Sequence, residues 1–232
     1  MTDPREILAR LYPTTVRFDV GRGGGIPELT NIDIAGALGM VPAGLGREVL
    51  EACWCPEGAA LRGHKLQAAV IALVVGELQS QRLKLLDAER NEQIVESQIF
   101  WANQYLRRGA TAVQLDELKA AVEKTGEIRD SCWPSNTIQK LPLIVQAIIE
   151  ELRGDACGCC GGTRFVEQKG CAECSGTGRE KCSDRKRAIR MKTDPSDFAR
   201  RWRVVYQWLY ARFADAEAEA ARRLSAAIQR VA

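Results

Sequence analysis

CGCCGGTRFVEQKGCAECSGTG, running from Cys157 to Gly178, sets two Cys-x-x-Cys pairs ten residues apart. Each such pair bends around a metal ion and presents two thiolates, so two pairs supply the four corners of a tetrahedral site. Glycines follow both pairs, Gly161 and Gly162 after the first and Gly176 and Gly178 after the second. They let backbone N–H groups turn toward the sulfurs. Between the pairs, Thr163 to Gly170 has the length and the Phe165/Val166 content of a short β-hairpin. The spacing predicts one zinc ion held by Cys157, Cys160, Cys171 and Cys174; Cys159 and Cys182 stand close enough in sequence for either to replace a neighbour. Four thiolates close the coordination sphere, which makes the zinc structural. Metal of this kind supplies on the order of 10 kcal/mol of folding free energy, enough to order a segment poor in apolar residues.

The rest of the chain reads as helix. Its 232 residues are 46% hydrophobic and 27% charged, enough for one larger or two smaller cores. There is no run of eighteen apolar residues, and Asp3, Arg5, Glu6 and Arg10 interrupt the first twelve positions where a signal peptide needs an apolar segment. An intracellular protein with no membrane contact is expected, with its nine cysteines reduced. Six of the nine fall between Cys157 and Cys182, which favours metal over disulfides.

Along the chain, GRGGGIP at residues 21–27 predicts an irregular loop, lacking the lysine and spacing of a phosphate-binding loop. Asn31 or Asp33 caps a short helix through Leu38, followed by a second glycine loop at Val41 to Gly46. From Gly63 to Arg108 apolar residues recur at steps of three and four, predicting two helices with a break near Asp87 to Asn91. Leu115 to Ile128 predicts another helix, ended near Gly126, and Leu141 to Leu152 predicts the most buried one. The sole histidine, His64, has no partner for metal or acid–base work; Cys53, Cys55 and Cys132 sit beside Trp54 and Trp133 as small core residues. No nucleophile triad, acidic pair or nucleotide fingerprint appears, so no enzyme is expected.

Charge divides the chain. Residues 1–150 carry 16 Lys/Arg against 19 Asp/Glu, and residues 151–232 carry 17 against 11. Ser183 opens a basic helix, Asp184 to Arg190; Thr193 or Asp194 caps a second, with Pro195 in its first turn and Phe198, Trp202, Val205, Tyr206 and Leu209 on one face. Two helices joined by a tight turn, with arginines at the start of the second, form the helix-turn-helix pattern that enters a DNA major groove. Arg200, Arg201 and Arg203 project away from that apolar face. The residues from Ala214 to Ala232 suit a helix packed back on the body.

The fold class expected is therefore mainly α, a helical body with an inserted zinc-binding β-hairpin of four cysteine ligands and a C-terminal helix-turn-helix. Residues 1–30 form an N-terminal segment with the glycine loop, 31–152 the body, 153–182 the zinc module, and 183–232 the helix-turn-helix and final helix.

Three stretches resemble the late-gene antitermination proteins of lambdoid bacteriophages, the lambda Q type. LTNIDIAGALGM at Leu29 to Met40 with AGLG at Ala43 to Gly46 is similar to the family's N-terminal motif. CAECSGTG within the paired cysteines resembles its zinc motif, with a shorter loop, and RAIRM at Arg187 to Met191 with the Trp202/Tyr206 helix resembles its helix-turn-helix. The resemblance implies a protein of the bacterial host cytoplasm that binds double-stranded DNA at a phage late promoter. It implies further that Arg187, Arg190, Lys192, Arg200, Arg201 and Arg203 contact the DNA, and that the protein joins a paused RNA polymerase with its sigma factor and carries it through terminators, the helical body contacting the polymerase. Two alternatives share parts of the pattern. A zinc-containing repressor needs no large acidic body, and an Hsp40-like chaperone cofactor strings four cysteine repeats where this chain has one complete and one degraded copy.

Overall fold

The computed structural model describes residues 3–9, 11, 29–55, 63–105, 107–154, 157–161, 163, 165–166, 169–174 and 178–231. The glycine loop at 21–27 lies outside them, as does most of the expected 1–30 segment. Helices dominate: α1 (Pro4–Ala9), α2 (Asn31–Met40), α3 (Leu45–Trp54), α4 (Gly63–Tyr105), α5 (Ala112–Ser131) and α6 (Thr137–Arg153) precede the hairpin β1 (Phe165–Val166) and β2 (Lys169–Gly170). After it come α7 (Asp184–Arg190), α8 (Pro195–Asp197), a π-helical turn (Phe198–Trp202) and α9 (Arg203–Val231), the last three joined without a gap.

Local chemistry explains the helix starts. Thr30, rather than Asn31 or Asp33, is the N-cap of α2: its hydroxyl accepts from the Asp33 amide while the Asp33 carboxylate accepts from the Thr30 amide. Thr111 and Gln114 repeat the device on α5. Ser183 caps α7 and Asp194 caps α8, with Pro195 at the first helical position.

The chain forms two compact units, one of residues 1–70 and 139–232, the other Ile71–Ile138. These compact units are drawn differently from the division read from the sequence. The expected 31–152 body is split, and its first helices belong with the C-terminal helix. The cause is the apolar stripe of α9, where Ala220, Ala221, Leu224, Ala227 and Ile228 bury against Ile7 and Leu8 of α1, Ile34, Ala37 and Leu38 of α2, and Leu50 of α3. Helices α3 and α9 approach so closely at Gly46 that a Cβ there would strike the Ala216 carbonyl, which only glycine avoids. One carboxylate fastens this packing. Glu217 of α9 accepts two bonds from the Arg5 guanidinium, at 2.6 and 2.7 Å, and a third from the Trp54 indole at 3.1 Å.

In the same unit the first turns of α9 bury Val205, Tyr206, Leu209 and Phe213, and α6 buries Leu141, Ile144, Ala147 and Ile148. Tyr206 donates its hydroxyl to Glu151 of α6 at 2.8 Å and stands edge-on to Phe198.

The second unit is an antiparallel helical pair. Gln81 accepts from the Trp133 amide at 2.9 Å and Glu89 pairs with Arg129 at 3.1 Å, so the partner retreats as α4 advances. The covered stripe of α4 runs Val74, Leu78, Gln81, Leu85, Ala88, Glu92, Val95, Ile99 and Ala102; that of α5 runs Gln114, Leu118, Ala121, Thr125, Ile128 and Cys132. Alternating steps of four and three are the heptad seam of a coiled coil. The expected break at Asp87 to Asn91 is absent, because those residues contain neither Gly nor Pro and lie within a seam that continues past them. Likewise Gly126 lies inside α5, which ends at Ser131.

Candidate metal centre and basic helical pair

Cys157, Cys160, Cys171 and Cys174 converge with their sulfurs all within 4.8 Å of one another, and all four are buried. Sγ of Cys157 lies 3.9 Å from Cys171, and Sγ of Cys160 lies 3.8 Å from Cys174. A tetrahedron of thiolates with metal–sulfur bonds of about 2.3 Å has edges of about 3.8 Å, so the four side chains fit a chelated ion as they stand. Each pair turns tightly. Gly161 donates to the Cys157 carbonyl at 2.7 Å with φ at +56°, a conformation that favours glycine. Gly178, at φ +77°, directs its amide to the Cys174 sulfur at 3.2 Å. Such N–H···S bonds are the outer support of thiolate sites.

The hairpin between the pairs is the expected one, with Phe165 opposite Gly170 and Val166 opposite Lys169. Both strands are exposed, so their order depends on the closed loops at either end. The module is also pinned to its unit. Cys157 donates to the Gly178 carbonyl at 2.9 Å, and Arg179, next along, lays its guanidinium over the Trp54 ring of α3 at 5.1 Å.

The two alternative ligands are not among the four converging sulfurs, although the Cys159 thiol reaches Cys171. Cys159 is exposed, while Cys182 is half-buried against the Ser183 carbonyl and the Arg190 guanidinium. Burial and the Glu151 carboxylate push the Cys182 thiol up.

The six basic residues separate into distinct environments. Arg187 is engaged within the fold. Its Nε and Nη2 clasp Glu151 at 2.9 and 2.6 Å, its Nη1 reaches Asp184 at 3.2 Å, and its plane lies over the Tyr206 ring. With 17% of its side chain exposed, it offers little to a partner. The Glu151 hydrogen bonds raise its pKa further, and burial followed by the same carboxylate raises that of Tyr206. Arg190 pairs with Glu150 at 3.4 Å, Arg201 with Asp197 at 3.7 Å, and Arg203 with Asp184 at 2.7 Å. Lys192 and Arg200 are exposed, and among the described residues no carboxylate lies within ion-pair distance of either. Lys192 occupies the turn between α7 and α8 with φ at +51°.

Sequence reasoning missed Glu151, whose role depends on an arginine 36 residues later; the Gly178 amide turned toward sulfur is the arrangement expected of the glycines after the second pair. Of the remaining cysteines, Cys53 is buried as expected and Cys55 and Cys132 are half-buried; His64 is exposed. Among the described residues no helix is long and apolar enough to cross a membrane. No family model, curated protein or solved structure matches this chain.

Proposed function

We propose that this chain is a bacteriophage transcription antitermination factor in which a structural zinc ion organises a DNA-binding surface. It binds double-stranded DNA at a late promoter, joins bacterial RNA polymerase paused with its sigma factor, and promotes readthrough of terminators. The observation that carries the reading is the basic helix α7 set directly after the four-cysteine centre and followed, across the turn at Lys192, by the continuous helix from α8 into α9 that bears Arg200, Arg201 and Arg203 near its start. Buried Ala188 and Met191, a left-handed residue at Lys192 and the capped start of α8 give a tight corner between two helices. A corner of that kind is what a helix-turn-helix needs, the second helix entering the groove. Zinc suits an all-thiolate tetrahedral site and has no redox chemistry to disturb it. The four cysteines hold the ion, and the ion fixes the loop that leads into Ser183 and α7.

A protein partner is favoured over the plain repressor reading by the surface of Ile71–Ile138. Leu83, Leu86, Ile94, Phe100, Trp101 and Tyr105 are all exposed on α4, and Trp101 stacks on Tyr105 at 4.3 Å between ring centres. Apolar surface of that extent, rich in aromatics, marks protein contact sites. The test is transcription by purified polymerase across a terminator, on a template carrying a phage late promoter, with and without the chain. Longer transcripts in its presence are expected; DNA binding with unchanged termination would leave the repressor.

A further inference from the structure

The exposed face of the second helix carries a set of side chains that the ion pairs around it do not explain. Ser196, Arg200, Val204 and Gln207 follow one another at steps of four, four and three, opposite the buried face of Phe198, Trp202, Val205 and Leu209. The π turn at Phe198–Trp202 bonds residue i to i+5, which slows the rotation of the chain about the axis and keeps residues four apart nearly in line. The guanidinium of Arg200 has the Ser196 carbonyl as its hydrogen-bond partner, at a long 3.4 Å. Asp194 is near enough to feel its charge and too far to pair. Val204 is 61% exposed. Arg201 and Arg203, on either side, are drawn to Asp197 and Asp184.

Resting on the DNA-binding reading above, we propose that Arg200, Val204 and Gln207 are the base-reading residues, recognising guanine, a thymine methyl and adenine in turn. The pairings follow from the groove edges. Arginine donates two bonds to guanine O6 and N7, a carboxamide pairs with adenine N6 and N7, and an apolar side chain packs on the thymine C5 methyl. Exposed Arg185 of α7 and Lys192 of the turn lie on the helix and corner that cross the backbone, where cations meet phosphate.

The experiment is selection of the zinc-loaded full-length chain on a library of random-sequence DNA duplexes, repeated with Arg200→Ala, Val204→Ala, Gln207→Ala and Arg185→Ala. These side chains are exposed, and circular dichroism checks that each variant keeps its helix. Each base-reading variant is expected to lose preference at one position of the selected sequence, by about 5-fold or more, and to keep the rest. Arg185→Ala is expected to weaken binding to all duplexes alike and to lower the salt slope by about one. If the wild-type chain selects a sequence and all four variants retain it unchanged, the base-reading assignment is overturned while DNA binding stands. If the wild-type chain enriches no sequence and binds no duplex, both fall.

Discussion

Arg187 of α7 and Glu151 of α6 face each other fork to fork, with guanidinium nitrogens 2.9 and 2.6 Å from the two carboxylate oxygens. The pair links the helix before the cysteine module to the helix after it, and Tyr206 of α9 completes it from a third side. Arg187→Ala leaves Glu151 buried with only neutral donors, the Tyr206 hydroxyl and the Cys182 thiol. Loss of one partner from a buried pair costs about 3 kcal/mol, and lysine cannot restore the two-pronged geometry. Urea denaturation is expected to show a large loss for Arg187→Ala and a partial one for Arg187→Lys. An Arg187→Ala chain as stable as wild type would return this residue to the surface set.

Two glycines are expected to respond in opposite directions. Gly36 of α2 has open space where a Cβ would be built, so Gly36→Ala is expected to gain up to about 1 kcal/mol from helix propensity. At Gly46 the same change drives a methyl group into the Ala216 carbonyl and to 3.3 Å from the Ala220 Cβ. Overpacking of about 1 to 3 kcal/mol outweighs the propensity gain. Thermal unfolding of the two variants beside wild type checks the signs.

The Cys53 thiol is pushed up from 9.0 to about 12, first by burial and then by the Glu217 carboxylate. The folded chain therefore holds this proton more tightly than the unfolded one. Its contribution is complete below pH 9.0 and is lost as pH rises towards about 12. Stability measured across that window is expected to fall more steeply for wild type than for Cys53→Ala. Parallel curves would show that this thiol is not the source.

Alkylation separates the cysteines by environment. In the metal-loaded chain, exposed Cys159 is expected to react first and buried Cys53 to resist. Chelation is expected to add Cys157, Cys160, Cys171 and Cys174 together, read by mass spectrometry of the labelled peptides. Replacement of any one of the four by serine is expected to remove the ion, whereas Cys159→Ser retains it.

What the sequence disclosed depended on distance along the chain. The cysteine loops, the Ser183 cap and the Asp194–Pro195 helix start are set by neighbours within about four residues, and all were legible. Arg187 was read as surface because the acid that engages it lies 36 positions away. The joining of α9 to α1, α2 and α3 was hidden for the same reason. An alanine-rich tail shows that it can pack closely, not against which helix. The continuity of α4 was missed because Asp87 to Asn91 is polar. A two-helix seam leaves most of each helix in water, so a charged stretch there does not end it.

The most direct measurement is duplex binding by the full-length chain, followed by fluorescence anisotropy over a salt series before and after removal of the metal. With zinc bound, log affinity is expected to fall with log salt at about 0.9 per phosphate neutralised. Chelation is expected to abolish binding while the helices of Ile71–Ile138 persist, and zinc to restore it. A metal-free chain that binds the duplex with unchanged affinity and slope would contradict the zinc-organised DNA surface.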